Sequence, residues 1–265
     1  MNEICQKYLP ICPWEKKSTS RLPGIQPLNN NELLYIQDDA YDDQMSYRDY
    51  LIKNKRHLVF QINKRAITEA LELLKFLLCH LKGNSNYKFF SDRVQRPDNK
   101  VIYLKDEHPL IVAGRLVQED LLILDWSDKF QEHILIGGIL CFPALWTLKE
   151  KINKPLSRIH KPVRNYDKKI TKSVQRMFNN IKVNKPLWRA NWYLYENPEL
   201  FSPLEEKFSH QSRKDYFDAN FWVRVERQSL MRLPNTKSVI FGIHTYVVNK
   251  KDLTKNQIIS LRNCN

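Results

Sequence analysis

The residues best suited to chemistry lie in an apolar stretch at 221–234, in which arginines and a glutamate alternate with valines. The alternation predicts a β-strand, and successive side chains of a strand point to opposite faces. Arg224, Glu226 and Gln228 therefore share one face, whereas Arg227 shares the other face with valines. Two interpretations follow: the strand is half exposed in an antiparallel sheet, or its polar face lines a pocket for a charged ligand.

Two upstream segments also place polar groups among apolar ones. The alternation at 187–194 predicts a strand with Arg189 on one face and with Trp188 and Trp192 on the other. His160 stands two residues before Pro162, which restricts the backbone of the residue that precedes it. The sequence therefore predicts a turn that carries a histidine, followed later by a strand that carries an arginine.

These residues belong to short motifs that occur in order along the chain. They are Cys141-Phe142-Pro143 with Trp146, IHKPV at 159–163, WRANW at 188–192 and RVERQSLMRLP at 224–234. Weaker matches lie upstream, in Asp39-Ala40-Tyr41 with the following Arg48 and in VQEDL at 117–121. In this order the motifs resemble the haem-dependent oxidative N-demethylase family. The resemblance extends over about residues 22–248.

The resemblance implies a PAS-like core that holds haem b, with His160 as the axial ligand of the iron; its alternative role is a turn histidine that bonds the local backbone. Haem propionates are carboxylates, which an arginine binds through two parallel hydrogen bonds, so Arg189, Arg224 and Arg227 are candidate cofactor-binding residues. Strand parity argues against Arg224 and Arg227 serving one pocket together. His244 is a weaker ligand candidate, because the family is expected to have an arginine at that position in many members.

The implied reaction is oxidative N-demethylation of a small methylated amine by dioxygen, with release of formaldehyde. Such an amine is cationic at neutral pH, and a buried cation needs an anionic partner, which makes Glu226 the candidate catalytic residue. The alternative is an ion pair of Glu226 with Arg224 or Arg189 that only stabilises the sheet. Aromatic side chains are candidates for the wall of the site, and ordinary core packing is their alternative role. They are Trp188, Trp192, Trp222 and Tyr246.

The net charge of the chain is +14, from 43 Lys and Arg against 29 Asp and Glu. A solvated lysine-rich surface is the simplest interpretation, and an acidic electron-transfer protein or a nucleic acid are the alternative partners. The chain has neither a glycine-rich dinucleotide fingerprint nor a ferredoxin cysteine set, so electrons must come from a separate reductase or ferredoxin. Five cysteines without a C-x-x-C pair indicate free thiols in a reducing, cytoplasmic compartment. We expect no signal peptide and no membrane span, because no apolar run approaches about 18 residues.

Three functions stay open at this point. The first is a haem-dependent monooxygenase subunit, the second is a non-enzymatic PAS-like sensor of haem or a small ligand, and the third is a basic nucleic-acid-binding protein. Formaldehyde release with supplied electrons separates the first from the second. Strongly salt-dependent binding of DNA or RNA would identify the third.

The periodicity of the chain predicts an α+β fold, with helices packed on an antiparallel sheet. An amphipathic helix is predicted at 67–81, and a second helix follows His160 with Ile170, Val174, Phe178 and Ile181 on one face. Strands are predicted at 101–104, 110–112, 121–126, 133–142, 187–194, 222–230 and 239–248, with a hairpin loop at 235–237. The Gly137-Gly138 pair marks a bulge or a close approach of the backbone or a ligand. We expect one domain at 36–250, between an irregular segment at 1–35 and a tail at 251–265.

Overall fold

The computed structural model of the chain describes residues 3–20, 24–29, 34–161, 168–208 and 220–264. Pro162 and Val163 of the histidine motif lie outside these residues, as does His210. The α-helices are α1 (Lys17–Ser20), α2 (Tyr41–Asn54), α3 (Arg56–Val59), α4 (Ile67–Leu81), α5 (Pro109–Leu116), α6 (Leu148–Lys151), α7 (Leu156–Ile159), α8 (Lys168–Asn180) and α9 (Lys255–Arg262). The strands are β1 (Gln26–Pro27), β2 (Phe60–Ile62), β3 (Lys88–Phe89), β4 (Arg93–Gln95), β5 (Val101–Tyr103), β6 (Asp120–Ser127), β7 (Glu132–Ile139), β8 (Leu187–Tyr195), β9 (Trp222–Arg232) and β10 (Val239–Asn249).

The main sheet contains seven strands in the order β1-β8-β9-β10-β6-β7-β2, and every neighbouring pair is antiparallel. A separate sheet has the order β3-β4-β5. The predicted α+β class with an antiparallel sheet is therefore confirmed, and the PAS-like arrangement stays a prediction. Strands β9 and β10 pair over their full length, from Trp222 opposite Asn249 to Arg232 opposite Val239. The hairpin loop predicted at 235–237 joins them.

One predicted strand is wrong, because residues 110–112 lie in helix α5. The side chain of His108 accepts a hydrogen bond from the backbone N–H of Leu110, and Pro109 opens the first turn, which is a favourable helix start. The run Leu110-Ile111-Val112 is buried on all sides, so it shows no helical periodicity. A Cβ atom on Gly114 would lie 2.7 Å from the side chain of Ile139, which shows how closely α5 packs on β7.

The strand predicted at 133–142 ends earlier, at Ile139. Residues 141 and 142 leave the ladder because the carboxylate of Asp120 accepts their backbone N–H groups, at 2.7 Å from Cys141 and 2.9 Å from Phe142. Of the alternatives for the glycine pair, the structure shows an irregularity of the ladder, which shifts register between Ile123 and Leu124 beside Gly137, and a close approach of side chains rather than of backbone. A Cβ atom on Gly138 would lie 2.7 Å from Leu122 and 2.9 Å from Leu148.

The two faces of the main sheet carry different cores. We call the side with the even-numbered residues of β9 the Glu226 face, and the opposite side the Arg227 face. On the Glu226 face, helices α6, α7 and α8 pack Leu148, Leu156 and Phe178 into one apolar cluster with Leu230 and Ile243 of the sheet. On the Arg227 face, a second cluster joins the N-terminal segment and α9 to the sheet. Its buried members include Leu9, Trp14, Val223, Val225, Tyr246 and Leu261.

The N-terminal segment is attached to the sheet by hydrogen bonds. The backbone N–H of Gln6 donates to the carbonyl oxygen of Val247 at 2.9 Å, and the Gln6 side chain accepts from the N–H of Val247 at 2.7 Å. Strand β1 extends the sheet beside β8. At the other end, Thr254 and Gln257 form a capping box that starts α9. The domain boundaries at 36 and 250 stay predictions.

A fully buried ion pair anchors α2 to β6. The Nη1 atom of Arg48 lies 2.9 Å from Oδ1 of Asp120, and both side chains are 0% exposed. Arg48 also donates through Nη2 to the carbonyl oxygen of Gln118 at 2.5 Å. The same Asp120 carboxylate accepts the two backbone N–H groups after β7, so its charge is fully compensated by hydrogen bonds inside the protein.

We predict that Asp120→Asn lowers the free energy of unfolding by about 3–5 kcal/mol, because it leaves the buried Arg48 guanidinium without its counter-charge. Chemical denaturation measures the loss. The matched control is Asp92→Asn, which removes one partner of the exposed Arg93–Asp92 pair and should change the stability by less than about 0.5 kcal/mol. Equal stability of the two variants would contradict a dominant role for the buried pair.

Candidate functional site

Strand β9 is buried on both faces, and residues 222–231 are all buried. The interpretation of this stretch as a half-exposed strand is therefore wrong. The charged side chains of β9 lie between packed layers, where an unpaired charge is costly. Each of these charged side chains needs an ion-pair or hydrogen-bond partner. The partners on each face of β9 indicate whether that face can bind a ligand.

The polar residues of β8 and β9 meet on the Glu226 face. Asn191 lies directly opposite Glu226 in the ladder, and Arg189 lies opposite Gln228. Gln228 donates through Nε2 to Oε2 of Glu226 at 3.2 Å, and Nη2 of Arg224 lies 3.5 Å from Oε1 of Glu226. Arg189 donates to the side-chain oxygen of Asn191. The shared face predicted for Arg224, Glu226 and Gln228 is confirmed.

Arg224 connects this polar group to the chain that covers it. Its Nη2 atom donates to the carbonyl oxygen of Phe142 at 2.5 Å, and its Nη1 atom donates to the carbonyl oxygen of Leu200 at 3.2 Å. The Cys-Phe-Pro motif and the β9 motif thus meet through one guanidinium group. Arg224 therefore holds the backbone in place, and most of its donors are engaged within the protein.

The buried carboxyl group of Glu226 is held toward its neutral form. Burial raises its pKa, and the negative charge of Asp120 adds to this effect. The positive charges of Arg224 and Arg189 and the hydrogen bond from Gln228 act in the opposite direction without cancelling it. A cation brought beside Glu226 would favour the ionised form, so this group can bind a cation or hold a proton.

His160 ends helix α7 and is half buried. Its Nδ1 atom lies 2.9 Å from the carbonyl oxygen of Leu156. Because a carbonyl oxygen only accepts, Nδ1 carries the hydrogen and the ring lone pair is on Nε2. Burial lowers the pKa of His160, and the positive charges of Arg189 and Lys151 lower it further. The ring is therefore a neutral imidazole, which is the form that binds a metal.

The positive charge of Arg189 acts on the pKa of both His160 and Glu226. It lowers the pKa of the His160 ring and opposes the rise in the pKa of the Glu226 carboxyl group. Three of the predicted site residues therefore belong to one electrostatic neighbourhood on the Glu226 face. They are His160, Arg189 and Glu226.

The remaining predicted residues lie on the Arg227 face. Arg227 donates through Nη1 to the carbonyl oxygen of Leu34 at 3.3 Å, and its guanidinium carbon lies 5.7 Å from the ring centre of Trp188. Trp192 packs edge-to-face on Trp14, with ring centres 5.3 Å apart. Arg224 and Arg227 thus lie on opposite faces, as strand parity predicted. A ligand held against one face meets only one of the two groups.

The four aromatic residues that were candidates for the wall of the site lie on both faces of the sheet. Trp188 and Trp192 share the Arg227 face with Tyr246, whereas Trp222 lies on the Glu226 face, opposite Tyr195 in the ladder. These four rings therefore do not surround Glu226 together. Packing between the sheet and the N-terminal segment accounts for Trp192, since its ring contacts Trp14.

The sequence interpretation missed a buried acid–histidine–acid cluster on the Arg227 face. Nε2 of His244 lies 2.9 Å from Oδ2 of Asp38, and Nδ1 lies 3.4 Å from Oε1 of Glu119. The His244 side chain is 0% exposed. The signal was present in two weak motifs, because Glu119 belongs to VQEDL and Asp38 directly precedes Asp39-Ala40-Tyr41. The third signal was His244 itself, at a position where the family is expected to have an arginine in many members.

Hydrogen bonds connect this cluster to the buried ion pair of α2. Gln118 donates through Nε2 to Oδ1 of Asp38 at 2.9 Å, and its carbonyl oxygen accepts from Arg48. Gln6 also donates to Oδ2 of Asp38, at 2.8 Å. The two weak upstream motifs therefore form one polar layer that joins the N-terminal segment to the sheet. The layer continues through Arg48 to Asp120.

A cavity of about 280 Å³ opens beside the segment that Arg224 holds. Its lining residues are Glu3, Ile4, Tyr47, Asn197, Pro198, Glu199 and Leu200. The Tyr47 hydroxyl group donates to Oε1 of Glu199 at 3.1 Å. Leu200 lines the cavity and also supplies a carbonyl oxygen to Arg224, so the cavity and the polar group of β9 share one wall.

In the part of the chain that the structure describes, no group of three or more His, Cys, Asp or Glu side chains is arranged to hold a metal ion. No helix among the same residues has the length and apolar character that a bilayer crossing requires.

The fold is an antiparallel α+β structure in which Arg189 and the buried Glu226 share one face of the main sheet, and α7, which His160 caps, packs on that face. The family described as "haem-dependent oxidative N-demethylase, alpha subunit-like" matches residues 24–263, and this chain belongs to that family. The match covers all four motifs and both weaker upstream segments. The resemblance seen in the motifs is thereby confirmed.

The acid–histidine–acid cluster predicts a specific dependence of stability on pH. Burial alone would lower the pKa of His244, but the hydrogen bond with Asp38 and the negative charges of Glu119 and Asp38 raise it above its ordinary value of 6.5. Burial opposes ionisation of Asp38, yet its bonds with His244, Gln118 and Gln6 lower its pKa below 3.8. His244 thus stabilises the fold fully below pH 6.5, and this stability is lost as pH rises through the raised value. Asp38 contributes above pH 3.8 and loses its contribution as pH falls through the lowered value.

We predict that the free energy of unfolding falls as pH rises above 6.5 and that His244→Gln flattens this slope, because the amide keeps hydrogen-bonding capacity without a titrating charge. Denaturant titrations across this range measure the slope. His57→Gln, at an exposed histidine, is the control and should keep the wild-type slope. The same slope in wild type and His244→Gln would show that another group is responsible.

Proposed function

We propose that this chain is the haem-binding catalytic subunit of an oxidative N-demethylase. In this proposal it demethylates a small methylated amine with dioxygen and with electrons from a separate reductase or ferredoxin. The family match supports haem dependence and this class of reaction. The observation that carries the assignment within the chain is the neutral, half-buried imidazole of His160 on the same face as Arg189 and Glu226.

The donor set around His160 fits a haem. Its hydrogen bond to the Leu156 carbonyl oxygen fixes the ring orientation and directs the lone pair to Nε2, as is usual for histidines that bind metals. Arg189 is a suitable propionate partner, because its positive charge reaches His160. Haem b bound at His160 would supply the activation of dioxygen. Arg224 and Arg227 suit this role less well, since both donate to backbone carbonyl oxygens.

Glu226 is the proposed partner of the substrate cation. Its carboxyl group is buried and its pKa is raised, and the guanidinium of Arg224, which lies 3.5 Å away, is bonded to two carbonyl oxygens. A methylated ammonium ion would therefore gain a charged acceptor in a water-poor site. Asn191, directly opposite in the ladder, is placed to orient the carboxyl group. Arg227, Trp188 and Trp192 are assigned to packing on the other face.

The purified protein tests the proposal through its absorption spectrum and its product. We predict a Soret band in protein from haem-sufficient cells, a shift of that band when carbon monoxide binds the reduced form, and formaldehyde when a methylated amine and electrons are supplied. Absence of the Soret band, both as purified and after reconstitution, would refute the cofactor. Haem and carbon monoxide binding without formaldehyde from any methylated amine would favour the sensor function.

His160→Ala should lower haem affinity by roughly tenfold or more, because it removes the axial ligand. Free imidazole should restore part of the wild-type spectrum. His57→Ala, at an exposed histidine, is the matched control and should keep the full haem content. A wild-type spectrum in the His160 variant would assign the ligand to another residue.

Glu226→Gln keeps the shape of the side chain and removes its charge. If Glu226 binds the amine, the affinity for a dimethylated amine should fall by about ten- to a hundredfold, since a hydrogen bond to a charged group contributes roughly 1.5–3 kcal/mol. Haem content and the melting curve should be unchanged. Amine titrations followed by the haem spectrum measure the effect, and Glu205→Gln at an exposed carboxylate is the control. A lowered melting temperature with an unchanged titration would assign Glu226 to the scaffold.

A further inference from the structure

The positive charge of the chain is concentrated in one segment. Residues 149–185 contain twelve Lys and Arg and two Asp and Glu, a net charge of +10 out of +14 for the whole chain. The segment begins with α6, continues through α7 and His160, and ends just after α8. The basic charge therefore surrounds the residue that we propose as the haem ligand.

The fold gathers these charges on one side of the molecule. Helices α6, α7 and α8 all pack their apolar residues on the cluster of the Glu226 face, so their exposed sides point away from the sheet together. We call the exposed basic side chains of residues 149–185, apart from Arg158, which pairs with Glu206, the basic face. Its described members on these helices are Lys149, Lys172 and Arg176, and Lys154, Lys161, Lys182 and Lys185 lie in the segments beside them.

The carboxylates of this layer are already engaged. Glu206 lies 2.5 Å from Nζ of Lys151 and 3.0 Å from the guanidinium of Arg158. Glu150 accepts from the hydroxyl group of Thr147 at 2.7 Å. Within the described residues, no carboxylate lies at ion-pair distance from a member of the basic face. The positive potential of the face is therefore directed to solvent.

Exposed aromatic residues border the basic face. Trp126 is 40% exposed and Phe130 is 42% exposed, and both belong to the β6–β7 hairpin. His133 joins this hairpin to α8, because its ring packs on Phe178 at 5.3 Å and its Nδ1 atom lies 2.9 Å from Nε2 of Gln175. Aromatic anchors beside a charged surface are typical of protein interfaces.

We propose that the basic face is the docking site of a strongly acidic electron-transfer protein. The inference rests on the proposed function, since Lys154 and Lys161 of the face flank α7 and its C-cap His160. In such a complex the partner would give up one electron, which the haem proposed at His160 would accept. A membrane surface fits less well, because the apolar side of α8 is buried in the cluster and is not free to enter lipid.

Binding of an acidic probe to the haem-loaded protein tests the proposal. The probes are a strongly acidic plant-type ferredoxin and a strongly acidic flavodoxin, measured by calorimetry at low and at moderate ionic strength. We expect a complex that weakens with salt, because opposite charges across the interface are screened. The triple variant Lys172→Glu, Arg176→Glu and Lys185→Glu should weaken it by roughly tenfold or more.

The matched control changes the net charge equally at another place. The triple variant Lys75→Glu, Lys82→Glu and Lys251→Glu alters three exposed lysines outside the basic face and should leave the affinity within about twofold. Equal weakening by both triple variants would reduce the effect to net charge and overturn the proposal. Failure of both probes to bind would also overturn it.

Two further arms exclude other partners. Duplex DNA, RNA and vesicles that contain phosphatidylserine are titrated under the same conditions. Tighter binding to any of these than to the acidic proteins, abolished by the basic-face variant, would assign the face to that partner instead. The haem spectrum of each preparation distinguishes failure of one proposal from failure of the other. Haem-loaded protein that binds neither probe would contradict only the docking site, whereas protein without haem would contradict the proposed function.

Discussion

The carboxylate of Asp120 is the point on which much of the fold depends. It is removed from water, so it must be surrounded by donors, and it takes them from three parts of the chain. Arg48 brings α2 to the sheet, and the N–H groups of Cys141 and Phe142 turn the chain away from β7. The carbonyl oxygen of Phe142 then accepts from Arg224. One buried charge thereby fixes the wall against which the polar group of β9 is assembled.

The main sheet separates two kinds of polar chemistry. On the Arg227 face, His244 and its two carboxylates compensate one another and attach the N-terminal segment. On the Glu226 face, Glu226 keeps a raised pKa and His160 a lowered one, so both groups stay near neutrality. The ion-paired cluster stabilises the fold, whereas shifted pKa values such as those of Glu226 and His160 are found at sites that bind or react, which is the role that we propose for these two groups. The buried polar groups of the two faces therefore serve different purposes: stability on the Arg227 face and the proposed binding site on the Glu226 face.

The local pattern of the chain predicted the parts of this structure that depend on neighbouring residues. Alternation along residues 187–194 and 222–230 is enough to place Arg224 and Arg227 on opposite faces, because parity is a property of one strand. Helix α5 was misassigned because Leu110, Ile111 and Val112 are all buried, which removes the periodicity that distinguishes helix from strand. The pairing of His244 with Asp38 spans 206 residues, and nothing in either segment alone indicates the other. The same holds for Arg224, whose carbonyl partner in Phe142 comes from a different motif.

The position of β10 has a consequence for how the molecule is made. This strand lies between β9 and β6 in the middle of the sheet, yet it is the last strand in the chain to leave the ribosome. Until β10 has been synthesised, the edge of β6 that pairs with it is open, and Asp38 and Glu119 lack their partner His244. Pairing between strands that are far apart in the chain slows folding, and it leaves unpaired strand edges exposed to other chains in the meantime. The nascent protein therefore completes its core in a late, single step, and chaperone protection during synthesis matters more for this topology than for one closed from its N-terminal end.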